Sequence, residues 1–300
     1  AKAGTAGPLG PKQAAEPPTA AAGTKKSSEL PGAKQAPPAA GVKNTSATLH
    51  QCMTWNGAWM PPAGPKPKVF FFDLGVETGQ SALVALGEQP TRACRYNVEF
   101  AKTSLGQSHR LAECVKQTRK SHRILVEVQE MAARRRFDFF MNSQVIMVEP
   151  SPAYTSVIEQ IRTEYPNRTK FFNKAITGYN ESVAGFHYSL DHKTCDEDVV
   201  ELDRQAGGHV VQVGGLNLAR LLSTQVRPED FVVVKMDVEG SEYEILPCLA
   251  ATNSINLIDM FLLERHDWMK VASNPGYKDS LAAAVEKMKA KGIVVREDWP

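Results

Sequence analysis

From Val69 onward the sequence predicts an α/β fold with a mostly parallel central sheet and helices on both of its faces. Two observations predict it. Short, unbroken apolar runs alternate with longer amphipathic stretches, the pattern of strands buried on both faces by crossover helices. Several of the apolar runs also end in an acidic residue followed by small or charged ones, where open parallel sheets bind ligands.

Taken in order, the strands are expected at 69–73, 145–149, 170–175, 231–236 and 258–264. Each is apolar over four or more residues and opens or closes on a polar break. Helices should follow at 79–87, 152–164, 216–223, 241–249 and 277–291; in the last, Leu281, Val285 and Met288 form one apolar stripe at helical spacing. Between Gly87 and Gln144 lies an insertion, about 88–144, with helical patterning around Leu111 to Met131. Its length suits a lid or substrate-facing subdomain better than a structureless loop.

Residues 1–48 are rich in Pro, Ala, Gly, Ser and Lys and lack periodic apolar positions, so they read as a disordered tail or stem. Residues 49–68 carry Trp55, Trp59 and Met60 before a proline-rich break, and read as a segment that docks on the domain at 69–300. The formal net charge is +2, with no concentrated basic face, so no nucleic-acid partner is expected. The run Arg134-Arg135-Arg136 reads first as a solvated helix end and second as an anion contact.

Five cysteines stand far apart with no metal-ligand spacing, so no cysteine metal site is expected and at least one thiol is unpaired. No apolar run is long enough to span a bilayer, and because the sequence begins at Ala1 a membrane link is expected only through an upstream anchor. Sequons at Asn44, Asn167 and Asn180 favour a Golgi or secretory location over the cytoplasm.

Four sites carry chemistry. Asp73-Leu74-Gly75-x-x-x-Gly79 follows the first strand, and its glycines suit close backbone approach to a ligand before a helix start. It is not the pyrophosphate cradle of a dinucleotide site; a ligand with an ammonium rather than a phosphate at this end, met by Asp73, fits it better. Glu149, closing the second strand, is placed to accept ribose hydroxyls. Lys235-Met236-Asp237-Val238-Glu239-Gly240-Ser241-Glu242 gathers charges at the end of a central strand, with helix capping by Ser241 or Asp237 as the plainer reading. Glu264 and His266 end the fifth strand and share a face if that strand persists.

Together with Asn173-Lys174-Ala175-Ile176, these pieces resemble the FkbM family of S-adenosylmethionine-dependent methyltransferases over about 69–295, the charged segment from Lys235 to Glu242 being the most specific. The resemblance implies a Rossmann-like class I methyltransferase fold and S-adenosyl-L-methionine held by Asp73, Gly75, Gly79, Glu149, Ala175 and Asp237. It implies transfer to a hydroxyl of a sugar or glycan, with His266 as base and Glu264 or Asp237 orienting it. A metal-assisted variant would place a hard cation on Asp237, Glu239 and Glu264, although no metal is required. The insertion is longer than the family pattern, and after Arg296 the class's C-terminal hairpin is expected to be incomplete or the chain to be a fragment. Two other readings compete: a small lipid, polyketide or nucleic acid as acceptor, or an inactive methyltransferase fold serving as a binding module.

Overall fold

The computed structural model describes residues 67–96, 111–178, 183–188, 209–268 and 274–300, all within a unit running from Ala47 to Pro300. The expected tail at 1–48 and almost all of the docking segment at 49–68 lie outside the described residues.

In chain order the elements are β1 (Val69–Leu74), α1 (Gln80–Ala85), α2 (Pro90–Ala93), α3 (Leu111–Arg134), α4 (Phe139–Asn142) and β2 (Ser143–Val148). Then come α5 (Thr155–Glu164), β3 (Thr169–Phe172), β4 (Ala175–Thr177), β5 (Val183–Tyr188), β6 (His209–Asn217) and α6 (Leu218–Gln225). The chain finishes with β7 (Phe231–Met236), α7 (Glu242–Ala250), a 3-10 turn (Asn253–Leu257), β8 (Met260–Leu263), α8 (Pro275–Ala290) and β9 (Val294–Arg296).

Six strands form one sheet in the order β3-β2-β1-β7-β8-β9, every pair parallel. The order reverses beside β1, which has β2 on one side and β7 on the other. That switch point opens a crevice at the carboxyl edge, and the topology is the expected Rossmann-like one. Alternation along the strands feeds two cores. Phe70, Phe72, Leu74, Val232, Val234 and Met236 pack with α6, α7 and α8, whereas Val69, Phe71, Phe231 and Val233 pack with α1, α3 and α5.

The insertion is built around α3, which sends Ile124, Leu125, Val128 and Ala132 into the second core. This spacing puts four apolar side chains on one helical stripe. A disulfide joins Cys94, at the end of α2, to Cys114 in the first turn of α3, with Cα atoms 6.1 Å apart. Cys248 is disulfide-bonded as well.

Two expectations need correcting. The strand anticipated at 170–175 is two strands: β3 ends at Phe172, and β4 leaves the central sheet to pair with β6 in a second sheet of order β4-β6-β5. The turn is marked by Lys174 N–H donating to Phe172 O at 3.0 Å. Ala175 therefore opens a strand of the second sheet instead of closing one in the first. The strand at 258–264 is shorter, Met260–Leu263, because Asn253–Leu257 winds into a 3-10 turn just before it.

The arginine run is structural in its middle member: Arg135 pairs with Asp259 at 2.5 Å and donates to the Glu229 and Asp230 carbonyls, tying α3 to the amino ends of β7 and β8.

Candidate active site

The loops after β1, β2 and β7 meet at the switch point. Gly75 N–H donates to Val148 O and Asp237 N–H to Leu74 O, both at 3.0 Å. Gly75 has φ +78°, and a Cβ there would lie 1.6 Å from the Asp237 carbonyl oxygen. Gly79 has φ +81°, and its Cβ would lie 2.2 Å from Ile161 Cδ1 on α5. Gly75 is thus demanded by crowding against another loop's backbone and Gly79 by its left-handed φ, its Cβ meeting only the end of the Ile161 side chain, causes different from the close ligand approach expected of them.

Glu149 stands at the tip of β2, buried, with one carboxylate oxygen accepting Glu77 N–H at 3.0 Å and the other Ser151 N–H at 2.8 Å. Each oxygen keeps a second lone pair for a hydroxyl donor. Burial raises its pKa to about 7 against these two hydrogen bonds. Glu77, held in left-handed backbone at φ +48°, is pushed to about 8 by burial and by the Asp237 charge.

Asp73 and Lys235 are register partners on adjacent strands, so strand alternation turns both side chains to the α1–α3 face. Asp73 is fully buried; Oδ2 accepts the Ser81 hydroxyl at 2.5 Å, and Oδ1 lies 3.3 Å from Lys235 Nζ without a hydrogen bond. Burial raises the Asp73 pKa despite Lys235 and Ser81. Lys235 also donates to Gly75 O at 2.5 Å and to Asp237 Oδ2 at 3.1 Å. Burial opposes its charge, yet Asp237 and Asp73 hold it protonated. The expectation that Asp73 would meet a ligand's ammonium is therefore corrected: its carboxylate is buried against the interior Lys235 and Ser81, and the acids that line the crevice are Glu77 and Asp237.

The histidine arrives by a different route from the one strand alternation suggested. β8 ends at Leu263, and the Glu264 N–H still donates to Met236 O at 2.9 Å. His266 is instead fixed by Glu242 at the start of α7, whose Oε1 accepts the His266 backbone N–H at 2.9 Å and sits 3.0 Å from Nδ1. Its other nitrogen, Nε2, then faces Glu239 Oε2 at 3.3 Å and Asp237 Oδ1 at 3.6 Å. Burial alone would lower the His266 pKa, but Glu242, Glu239 and Asp237 together raise it to about 9. At neutral pH the ring carries its proton, which corrects its expected role as a free base. Burial raises Glu239 and Glu264 to about 7, Glu239 against the His266 charge and Glu264 with added repulsion from Asp237. Neither Ser241 nor Asp237 caps α7: Ser241 occupies the cap position without a side-chain bond.

Asp237, Glu239 and His266 each offer one ligand atom within 4.8 Å of the others, the arrangement of a three-ligand cation site; Glu264 is not among them. A cleft beside this cluster is lined by Gly75, Glu77, Gln80 and Ser81 on one side and by Gln117, Thr118 and Ser121 of α3 on the other, with Trp299 closing one end.

The structure thus brings Gly75, Glu149, Asp237, Glu264 and His266 to one edge, while Asp73 turns inward and Ala175 begins β4 of the second sheet. Sequence reasoning left Glu242 and Glu77 without roles and gave Glu239 only a metal role. The i to i+5 spacing of Asp237 and Glu242 across a turn is a signal for the first; nothing in the sequence marks the α3 wall.

A model of the FkbM methyltransferase domain matches residues 128–292, from the second half of α3 to the end of α8. No curated protein and no solved structure matches the chain.

Proposed function

The chain belongs to the FkbM methyltransferase domain family, and on that premise we propose that it transfers a methyl group from S-adenosylmethionine to a hydroxyl of a sugar or glycan. The observation that carries this reading is the convergence of Glu149, Asp237, Glu239, Glu264 and His266 at the switch point of a parallel sheet.

The donor set fits the cofactor. Glu149 is an acceptor-only carboxylate, when ionised, at the strand tip next to the glycine loop, suited to two ribose hydroxyls. Asp237 and the carboxyl oxygens of Glu77 line the cleft as acceptors for an ammonium. Bound there, the cofactor supplies an electrophilic methyl group on a positively charged sulfur.

The chain's own residues then have two tasks, alignment and proton removal. Glu239, with a pKa of about 7, is matched to accept a hydroxyl proton near neutrality. The protonated His266, 3.3 Å away and braced by Glu242, keeps that carboxylate in place. Asp237 and Glu264 accept hydrogen bonds from neighbouring hydroxyls. The amide and hydroxyl side chains of Gln80, Gln117, Thr118 and Ser121 on the cleft walls suit a polyhydroxylated acceptor.

A secretory location is supported by the Cys94–Cys114 disulfide, since such bonds persist in oxidising compartments, and by the exposed side chain of Asn167 in its sequon.

The three-ligand cluster favours one variant of the mechanism, in which Asp237, Glu239 and His266 would hold a divalent cation, and that cation would supply Lewis-acid polarisation of a hydroxyl. His266 has the setting of a metal-ligating histidine, its far nitrogen held by a buried carboxylate.

Calorimetric titration of the full chain with S-adenosylmethionine tests the central reading, and absence of heat at high micromolar concentration would sink it. The affinity should fall as pH is lowered through about 7, where Glu149 takes up a proton, and Glu149→Gln should weaken binding about tenfold at pH 8. Repeating the measurement of turnover with and without chelator separates the cation-assisted variant from the metal-free one.

A further inference from the structure

Trp268 is an exposed aromatic side chain, with 54% of its surface open. A single exposed apolar residue is unremarkable by itself; what matters is where this one stands. Its indole meets the His266 ring edge-on, with centroids 5.9 Å apart, and the Nε2 of that ring faces Asp237 and Glu239.

The segment that carries it is held at successive residues. Glu264 N–H bonds to β7, His266 to Glu242, and Asp267 accepts the Tyr243 hydroxyl at 2.6 Å and an Arg265 guanidinium N–H at 3.1 Å. The backbone is thus fixed up to the residue before Trp268, so its indole projects from an anchored point.

We propose that Trp268 is the platform on which the acceptor's pyranose ring rests, its C–H face on the indole and its hydroxyls directed to Asp237, Glu239 and Glu264. This rests on the reading of the chain as a methyltransferase for hydroxylated sugars, and it adds the residue that selects the acceptor's shape. Ionised carboxylates accept hydrogen bonds and donate none, so they match a ring that presents several hydroxyl donors. An indole is a large, rigid apolar surface that loses little conformational entropy on contact. An aromatic or lipid acceptor would cover the indole but bring no hydroxyls to these carboxylates, which would keep only the partners they have within the chain, Lys235 and His266 among them. A pyranose satisfies both halves of the site. Trp268 is on this view a positioning residue that orients the ring, while the proton moves to Glu239.

The test uses the full chain saturated with S-adenosylhomocysteine and a panel of methyl glycosides, whose binding is followed by saturation-transfer NMR, together with calorimetric titration of S-adenosylmethionine. Trp268→Ala should weaken glycoside binding about tenfold, or about 1.4 kcal/mol, while leaving cofactor affinity unchanged. Trp268→Phe should retain most of the glycoside affinity. The unchanged cofactor affinity establishes that each variant is folded. If Trp268→Ala binds the glycosides as the wild type does, the platform role is overturned and the sugar reading stands. If the wild-type chain binds cofactor but no glycoside, the sugar reading itself falls, and the platform with it.

Discussion

At Gly75 a methyl group has nowhere to go. The residue sits at φ +78°, where L side chains are strained, and a Cβ would fall 1.6 Å from the Asp237 carbonyl oxygen, well inside any allowed contact. The obstacle is backbone, held by the Asp237 N–H bond to Leu74 O, so no rotamer change relieves it. Gly75→Ala should therefore destabilise the fold by about 2–4 kcal/mol in urea unfolding and separate the β1 and β7 loops, removing cofactor binding in calorimetry even at temperatures where the variant stays folded. A loss below about 0.5 kcal/mol would show that the two loops are not locked together. The same residue shows what is legible in a sequence: an Asp-x-Gly after an apolar run marks the position, but not whether the glycine yields to a ligand or to another loop. Asp73 repeats the lesson. Its place at a strand end was readable, whereas its turn inward depends on Lys235, about 160 residues away in sequence and register partner in space.

Among the elements, those whose apolar pattern is settled locally were legible to within a few residues, as in α8 and in the β7 run. The part between β3 and β4 was not. Residues 170–175 read as one strand, yet the chain turns at Lys174 so that 175–177 can pair with β6, a partner about 40 residues further on. Pairing of that kind is set by tertiary contacts that local propensity does not encode. The insertion was visible as helical and long, but its apolar stripe belongs to the main core, and its first turns wall the cleft. α3 is held at that end by the Cys94–Cys114 bridge, which closes a loop across a sequence separation of 20. By the loop-entropy relation such a closure is worth about 3 kcal/mol. Replacing both cysteines by serine should lower the unfolding free energy by about 2–4 kcal/mol, and reduction of the wild type, which also opens the disulfide of Cys248, should cost at least as much. Ile124 and Leu125 remain buried in either case, so the variant should still fold. Equal urea midpoints for oxidised and reduced protein would show that the helix is held by its apolar stripe alone.

For the molecule as a whole, the parallel sheet collects charge at one edge. Seven carboxylates, those of Asp73, Glu77, Glu149, Asp237, Glu239, Glu242 and Glu264, surround Lys235 and His266, and burial raises five of the acids, Asp73, Glu77, Glu149, Glu239 and Glu264. A carboxylate whose folded pKa lies above its unfolded one favours folding in its protonated form. Below pH 4.5, the ordinary glutamate value, Glu239 is neutral in both states and has no effect. As the pH rises toward about 7 the unfolded chain ionises first, so stability falls; above about 7 the penalty is constant. Glu239 keeps a quarter of its side chain exposed, which limits that penalty to about 1–2 kcal/mol. Glu239→Gln should therefore leave stability unchanged near pH 4 and raise it by about 1–2 kcal/mol at pH 8, measured by urea unfolding with chelator present. It should at the same time lower kcat by about a hundredfold, because the proton acceptor is gone. Stability bought at the expense of turnover is expected where an active site holds like charges together. A variant that is less stable at pH 8 than the wild type would mean that Glu239 is paired so well with His266 that its charge supports the fold, and the carboxyl edge would then be a structural ion cluster instead of a strained reaction centre.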